Sequence, residues 1–298
     1  MTSQKKVVAV GILSIAVMVA LHCYVGAFNF LSSQNCAVDF DESMQAVHYP
    51  QRFKSPAEKQ FYNAFKMSYQ KNSPTITKVS GKKIPKIIHQ IWLGSPFPEK
   101  YKIFRDSWLR HHPGWEYRLW TDADVAAFPL HNQAIYDSSS NYGEKSDIAR
   151  YEILYKFGGL YVDTDFECLR ALDNLHDTYD FYIGVQPLDT NIVQLGIGLI
   201  GTVPGHPLLR ACINHMAENA SHFVQVIQRT GPLYFTRVFE AIAPLLYDRT
   251  VALPSTYFYP KGYTQTEQPE AVWRRPESYA VHHWEGSWLK KEAQIPRK

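Results

Sequence analysis

Asp163 and Asp165, one residue apart, are the side chains of this chain best placed to do chemistry. They follow Leu160-Tyr161-Val162, a short apolar run that reads as a buried strand, so both carboxylates stand at a strand's carboxyl end. Two charges held that close are costly unless something positive lies between them. A divalent metal carrying a phosphorylated substrate is the simplest such cation. Other residues could complete the site. Asp147 and Arg150 are three apart on a helix expected over 143–157, and so share a face. They read equally as a local ion pair or as a grip on phosphate and sugar hydroxyls. Trp92, at a strand end, is either core or a ring for stacking a nucleobase. His282-His283-Trp284 and Ser287-Trp288 lie close to the C-terminus and could form a docked flap or a plain hydrophobic contact.

Two other readings of the aspartates can be weighed by spacing. An EF-hand counted from Asp163 needs Gly at its sixth place, where Cys168 stands, and Glu at its twelfth, where Asn174 stands. It fails. A haloacid-dehalogenase-like phosphatase would use Asp163 as nucleophile. That pattern wants a small or hydroxyl residue after the motif near the domain start, whereas Phe166-Glu167 follow here and a long α/β stretch precedes. A non-catalytic carbohydrate-binding protein remains a third alternative.

Those side chains need elements to hold them. The chain has 298 residues, 45% of them hydrophobic, enough for a full core. A strand is expected over 86–92, helical spacing over 98–110 and a second strand over 115–120 ending at the N-cap pair Thr121-Asp122. The 143–157 helix stops at Gly158-Gly159, ahead of the aspartate strand. Further strands are expected at 181–185 and 197–201, and helices at 206–218 and 232–246. Strands alternating with helices predict an α/β fold with a mostly parallel sheet, whose ligands bind at the carboxyl ends of strands.

Around this domain the sequence predicts two extensions. Residues 7–31 are mostly apolar, long enough for a transmembrane helix. Lys5 and Lys6 precede the run and the next Lys or Arg is Arg52, so the positive-inside rule puts the N-terminus in the cytoplasm and the rest across the membrane. A cleaved signal peptide is the rival reading. The expected organisation is a tail and signal-anchor at 1–31, a stem at 32–83 and a catalytic domain at 84–298. Within the stem, Ser55-Pro56-Ala57-Glu58 is a capping box opening a helix near 56–71. The net charge is +3, of which Lys5 and Lys6 supply two, and such a near-neutral domain argues against nucleic-acid binding. The 4 Cys show no metal-ligand spacing, and a Cys168–Cys212 disulfide is left open.

Together Ile84-Pro85-Lys86-Ile87-Ile88-His89-Gln90-Ile91-Trp92, Trp120-Thr121-Asp122, the block SDIARYEILYKFGGLYVDTDFECL at 146–169, Thr230-Gly231-Pro232 and the ending His282-His283-Trp284-Glu285-Gly286-Ser287-Trp288 resemble the family 32 glycosyltransferases. This DXD-containing family includes fungal Golgi initiating mannosyltransferases and inositol-phosphoceramide mannosyltransferases. The resemblance covers about residues 84–288. It implies a GT-A type, Rossmann-like sheet with flanking helices. It also implies a retaining enzyme that moves a hexose, mannose as first choice, from a nucleotide sugar to a glycan or glycolipid acceptor. The donor would be GDP-mannose or a UDP-hexose and the cofactor Mn²⁺ or Mg²⁺. Asp165 would ligate the metal, with Asp163 and His283 as further ligands and His282 as an alternative to His283. Asp163 would also face ribose or sugar hydroxyls. Asp147 and Arg150 would hold the donor sugar and its phosphate side, Trp92 would stack on the base, and Ser287 and Trp288 would close on the metal and β-phosphate. A single-pass membrane protein with a lumenal catalytic domain, in the Golgi of a eukaryote, is the expected setting.

Overall fold

The computed structural model describes residues 38–45, 53–72, 83–265 and 267–286. The apolar run at 7–31, Ser287 and Trp288 lie outside them. No helix among the described residues is long and apolar enough to cross a membrane. In chain order the elements are α1 (Phe40–Gln45), α2 (Pro56–Lys71), β1 (Ile87–Ile91), α3 (Lys102–His111), β2 (Glu116–Trp120), α4 (Asp122–Ala126), α5 (Gln133–Ser138), α6 (Tyr142–Phe157), β3 (Gly159–Val162), β4 (Phe166–Cys168), α7 (Asp173–Thr178), β5 (Phe181–Val185), β6 (Leu195–Thr202), α8 (Pro207–His222), α9 (Val226–Arg229), α10 (Pro232–Ile242), β7 (Thr250–Leu253), α11 (Glu270–Trp273) and β8 (Ala280–His282).

The main sheet has strand order β2-β1-β3-β6-β5-β7. β1 runs parallel to β2 and β3, β5 runs parallel to β7, and β6 runs antiparallel to both β3 and β5. Every strand but β6 therefore points the same way, and the expectation of a mostly parallel α/β sheet holds. β3 is central, flanked by β1 and β6, and all four of its residues are buried. This explains why it is short and apolar, and why a charged pair can follow only where the strand leaves the sheet.

Local signals place the elements close to their expected bounds. Asn141 caps α6, its side chain accepting from the amides of Gly143 and Glu144. Gly158 ends that helix with a φ of 64°, a conformation open to a residue without a Cβ. Thr121 and Asp124 form a reciprocal capping box on α4. Ser55 caps α2 by accepting from Glu58, but the Glu58 carboxylate returns to the amide of Lys54 instead of Ser55.

Two features differ from the sequence-based expectation. The 56–71 helix lies in the expected stem, yet α2 packs into the main core. Tyr62, Phe65 and Tyr69 are buried, Phe65 meets Phe239 edge-on at 5.9 Å, and Ser68 donates to Thr250 of β7 and accepts from Ala252. The described residues belong to one compact unit. The segment 280–282, for which no strand was expected, is β8, paired antiparallel with β4 in a second small sheet. Both strands have three residues, too few for alternation to show in a sequence. Cys168 and Cys212 are both free and buried, so they form no disulfide with each other.

Candidate active site

Where β3 ends, the amide of Asp163 donates to the carbonyl of Gly198 on β6 at 2.8 Å, which hooks the aspartate loop onto the sheet. Gly198 is close because it is glycine: a Cβ there would come within 2.6 Å of Asp163 Oδ2. Asp163 Oδ1 accepts from the Tyr161 hydroxyl at 2.7 Å and faces Arg150 Nη1 at 3.4 Å. Tyr161 was not singled out in the sequence. Its spacing could have been, since residues two apart on a strand share a face.

Arg150 is held on all sides. It donates to the Ile197 carbonyl at 2.8 Å, its Nη2 lies 3.2 Å from Asp147 Oδ1, and its guanidinium sits 4.3 Å from the centre of the Tyr161 ring. Asp147 takes a further hydrogen bond from the Thr230 hydroxyl at 3.1 Å. Burial pushes the Asp147 carboxyl up to about 7, against the opposing pull of Arg150 and Thr230. The pair is thus a local ion pair, and the same guanidinium also reaches the aspartate loop. Thr230 belongs to the Thr-Gly-Pro element, which α9 and α10 present to α6.

The second aspartate is built from the tail. β8 lies on β4, and beyond it the chain closes on Asp165. The His283 amide donates to the Asp165 carbonyl at 3.0 Å, and the Glu285 amide donates to Asp165 Oδ2 at 3.0 Å. Trp284, between them, adopts a φ of 57°. That conformation is strained for a bulky residue and persists only where the surroundings enforce it. Here the ring is enclosed by His282, Tyr259 and Tyr263. His282 Nε2 lies 3.2 Å from Asp165 Oδ1. Burial alone would raise the Asp165 carboxyl, but His282 and the Glu285 amide outweigh it and hold the group below its ordinary value.

Asp163, Asp165 and His282 each offer one ligand atom, and these atoms all lie within 4.8 Å of one another. Ligands on an octahedral ion at about 2.1 Å stand about 3 Å apart, so the Asp165–His282 separation fits a shared cation. Two carboxylate oxygens and an imidazole suit Mn²⁺ or Mg²⁺ better than a soft metal. The histidine that reaches this cluster is His282 and not His283. Neighbouring residues of an extended strand point to opposite faces, so only one ring can meet the Asp165 side chain. His283 Nε2 instead meets Glu167 Oε2 at 3.0 Å, and its ring stacks on Phe104 at 4.4 Å.

Trp92 follows β1, partly buried against Phe97 and Tyr101, with its Nε1 donating to Ser95 at 3.0 Å. Among the described residues, no contact links it to the aspartate cluster. Ser287 and Trp288 lie just beyond the described residues. Sequence reasoning missed Tyr161 and Gly198, and it ranked His282 second.

Fold and site together define a class: an α/β domain with a cation-competent D-x-D centre at the carboxyl end of a central strand. Comparison with known proteins makes it more specific. Residues 98–182 match the family model described as "Glycosyltransferase sugar-binding region containing DXD motif". The chain is 33% identical over 166 residues to "Inositol phosphoceramide mannosyltransferase 3" of Schizosaccharomyces pombe, covering 53% of this chain and 45% of that protein. It is 31% identical over 224 residues to "Inositol phosphoceramide mannosyltransferase 1" of the same yeast, covering 72% and 65%. With "Lactosylceramide 4-alpha-galactosyltransferase" of Mus musculus it shares 32% identity over 153 residues, covering 47% and 40%. The chain spans about half the length of the curated relatives it matches. The resemblance read from the sequence is borne out in residues 98–182, which are similar to the DXD-containing sugar-binding region of glycosyltransferases.

Proposed function

We propose that this domain is a retaining, divalent-metal-dependent glycosyltransferase that moves a hexose, mannose as first choice, from a nucleotide sugar to a glycan or glycolipid acceptor. The observation that carries this is the meeting of Asp163, Asp165 and His282 beside a buried arginine at the strand end. Mostly parallel strands and a D-x-D at their carboxyl end also support a GT-A assignment. The yeast relatives are named for mannosyl transfer to inositol phosphoceramide and the mouse relative for galactosyl transfer to lactosylceramide. Those names favour a glycolipid acceptor and leave GDP-mannose ahead of a UDP-hexose as donor.

Asp163, Asp165 and His282 would hold Mn²⁺ or Mg²⁺. When bound, that cation supplies positive charge for the diphosphate leaving group. The chain's own residues do the rest. Arg150 cannot swing, because the Ile197 carbonyl, Asp147 and the Tyr161 ring fix it. It presents a preorganised charge to the phosphate side of the donor, so little reorganisation is needed at the moment of transfer. Asp163, anchored by Tyr161, orients sugar or ribose hydroxyls. The same anchoring suits it poorly to attack phosphorus as a nucleophile. Trp92 would stack on the base, and Ser287 and Trp288, which lie outside the described residues, would close on the metal and β-phosphate. The sequence singles out no carboxylate as a covalent nucleophile, which favours front-face transfer. In that route the departing diphosphate helps take the acceptor hydroxyl proton. A signal-anchor at 1–31 would place the domain in a lumenal compartment, beside a membrane acceptor.

A donor-hydrolysis panel tests this reading. With Mn²⁺, release of nucleoside diphosphate from GDP-mannose should exceed release from UDP-hexoses and stop with a chelator. If no donor yields metal-dependent release, the assignment fails.

A further inference from the structure

Lys261 lies against the site and has no part in the reaction derived above. It is only 6% exposed. Its ammonium donates to His283 Nδ1 at 3.3 Å, and His283 Nε2 then donates to Glu167 Oε2 at 3.0 Å. This arrangement makes the ring a neutral tautomer with both nitrogens engaged. The ring is clamped on its face by Phe104. The Lys261 backbone is fixed too, since its carbonyl accepts from Trp284 Nε1 at 3.1 Å. His283 and Trp284 tie Lys261 to the turn whose two ends, the amides of His283 and Glu285, grip Asp165. The lysine is thus tied, through that ring and through its own backbone, to the turn that grips Asp165.

Its hydrogen bonding is incomplete. An ammonium has three N–H groups, and among the described residues one hydrogen-bond acceptor, a neutral imidazole nitrogen, is given for it. Glu167 and Glu267 act on it through charge, but neither hydrogen-bonds it, and Glu167 is spent on His283. A buried ammonium with N–H groups left unmet is costly, and a ligand oxygen that accepts from them relieves that cost. Lysine acts as a point charge towards phosphate oxygens, and phosphate is the anion that this chemistry brings.

We propose that Lys261, positioned by His283 and Glu167, binds a phosphate oxygen of the substrate. This rests on the glycosyltransferase reading. The phosphate could belong to the donor diphosphate or to a phosphodiester in the acceptor, and the test separates the two.

The full chain, its Lys261→Met and Lys261→Arg variants and a His283→Gln variant would be titrated with GDP and UDP in the presence of Mn²⁺ by calorimetry. Transfer would be measured to a phosphodiester-linked lipid polyol and to a neutral glycosphingolipid. If the phosphate is the donor's, Lys261→Met weakens nucleoside-diphosphate binding about tenfold, the loss expected for one charge-assisted hydrogen bond, and both acceptors suffer alike. If it is the acceptor's, diphosphate binding is unchanged and KM rises about tenfold for the phosphodiester acceptor only. Lys261→Arg should retain most of either effect, and His283→Gln should reproduce part of it, which decides the matter if Lys261→Met does not fold. Unchanged diphosphate binding together with unchanged KM for both acceptors overturns the proposal. Wild-type protein that shows neither metal-dependent diphosphate binding nor donor hydrolysis removes the parent reading, and this proposal with it.

Discussion

Asp147 and Glu152 sit on the same helix and are equally hidden, each 6% exposed, yet they are held in opposite ways. Glu152 accepts from the amides of His131 and Asn132 and from the Asn132 side chain, at the start of α5. Its charge is met by donors fixed in the fold and ends there. Asp147 has one hydroxyl, from Thr230, and one arginine, and that arginine continues to Asp163 at the cleft. Burial therefore does not separate structural from functional carboxylates in this molecule. What separates them is where the partner's remaining bonds go: inward for Glu152, towards the aspartate loop for Asp147.

The comparison can be broken in four places. Asp165→Asn should have the largest effect, cutting metal-dependent transfer and donor hydrolysis about a thousandfold or more while the unfolding midpoint is kept. Transfer within tenfold of wild type would show that the aspartate centre is not the metal site. Arg150→Met should lower transfer about a hundredfold or more and cost about 3–5 kcal/mol of stability, because it strands Asp147 beside a lost partner. Arg150→Lys should rescue little, since an ammonium cannot reproduce the planar fork that meets Asp147, Asp163 and Ile197 together. Denaturant unfolding alongside transfer kinetics would measure both terms.

Glu152→Ala is the converse. It leaves backbone amides of His131 and Asn132 buried without acceptors, so unfolding free energy should fall by about 2–4 kcal/mol. Transfer per folded molecule should stay within about twofold, and a larger drop would undo the division between the two carboxylates.

Asp147→Asn gives the most pH-dependent change. The Asp147 carboxyl titrates near 7 when folded, above its ordinary value near 3.8. Protonation therefore favours the fold. That stabilisation is fully present below the unfolded value and is lost as pH rises through the folded one. Wild-type stability should thus fall relative to Asp147→Asn between about pH 4 and 7 and then run level, a change on the order of 2–4 kcal/mol. Parallel unfolding curves across that range would mean that Arg150 keeps Asp147 ionised throughout.

Much of this was readable from local pattern. The strand over Ile87–Ile91, the capped α4 and the helix that ends at Gly158 each carry their signal within a few residues. The Asp147–Arg150 pair follows from helical spacing, and the D-x-D from its apolar strand. Other parts were not readable for definite reasons. β4 and β8 are three residues each and lie more than a hundred residues apart, so no local periodicity announces their pairing. Without that pairing, His282 and His283 are two adjacent rings with no basis for choosing between them. Lys261 carries no signal at all, because its importance is its burial beside His283. α2 has the apolar spacing of an amphipathic helix, but only the docking of Phe65 on Phe239 assigns its face to this core.

The sequence by itself determined the class of chemistry: a mostly parallel α/β domain, two carboxylates at the end of a buried strand, and a motif block that resembles the DXD-containing glycosyltransferases. These depend on spacing within one element, which the backbone's own periods translate into faces and ends. Tertiary structure alone decided which histidine meets Asp165, that Arg150 joins Asp147 to Asp163, and that Lys261 is buried beside His283. Each of these is a contact between elements distant in the chain, and its geometry exists only after the tail has paired with β4 and turned back at Trp284.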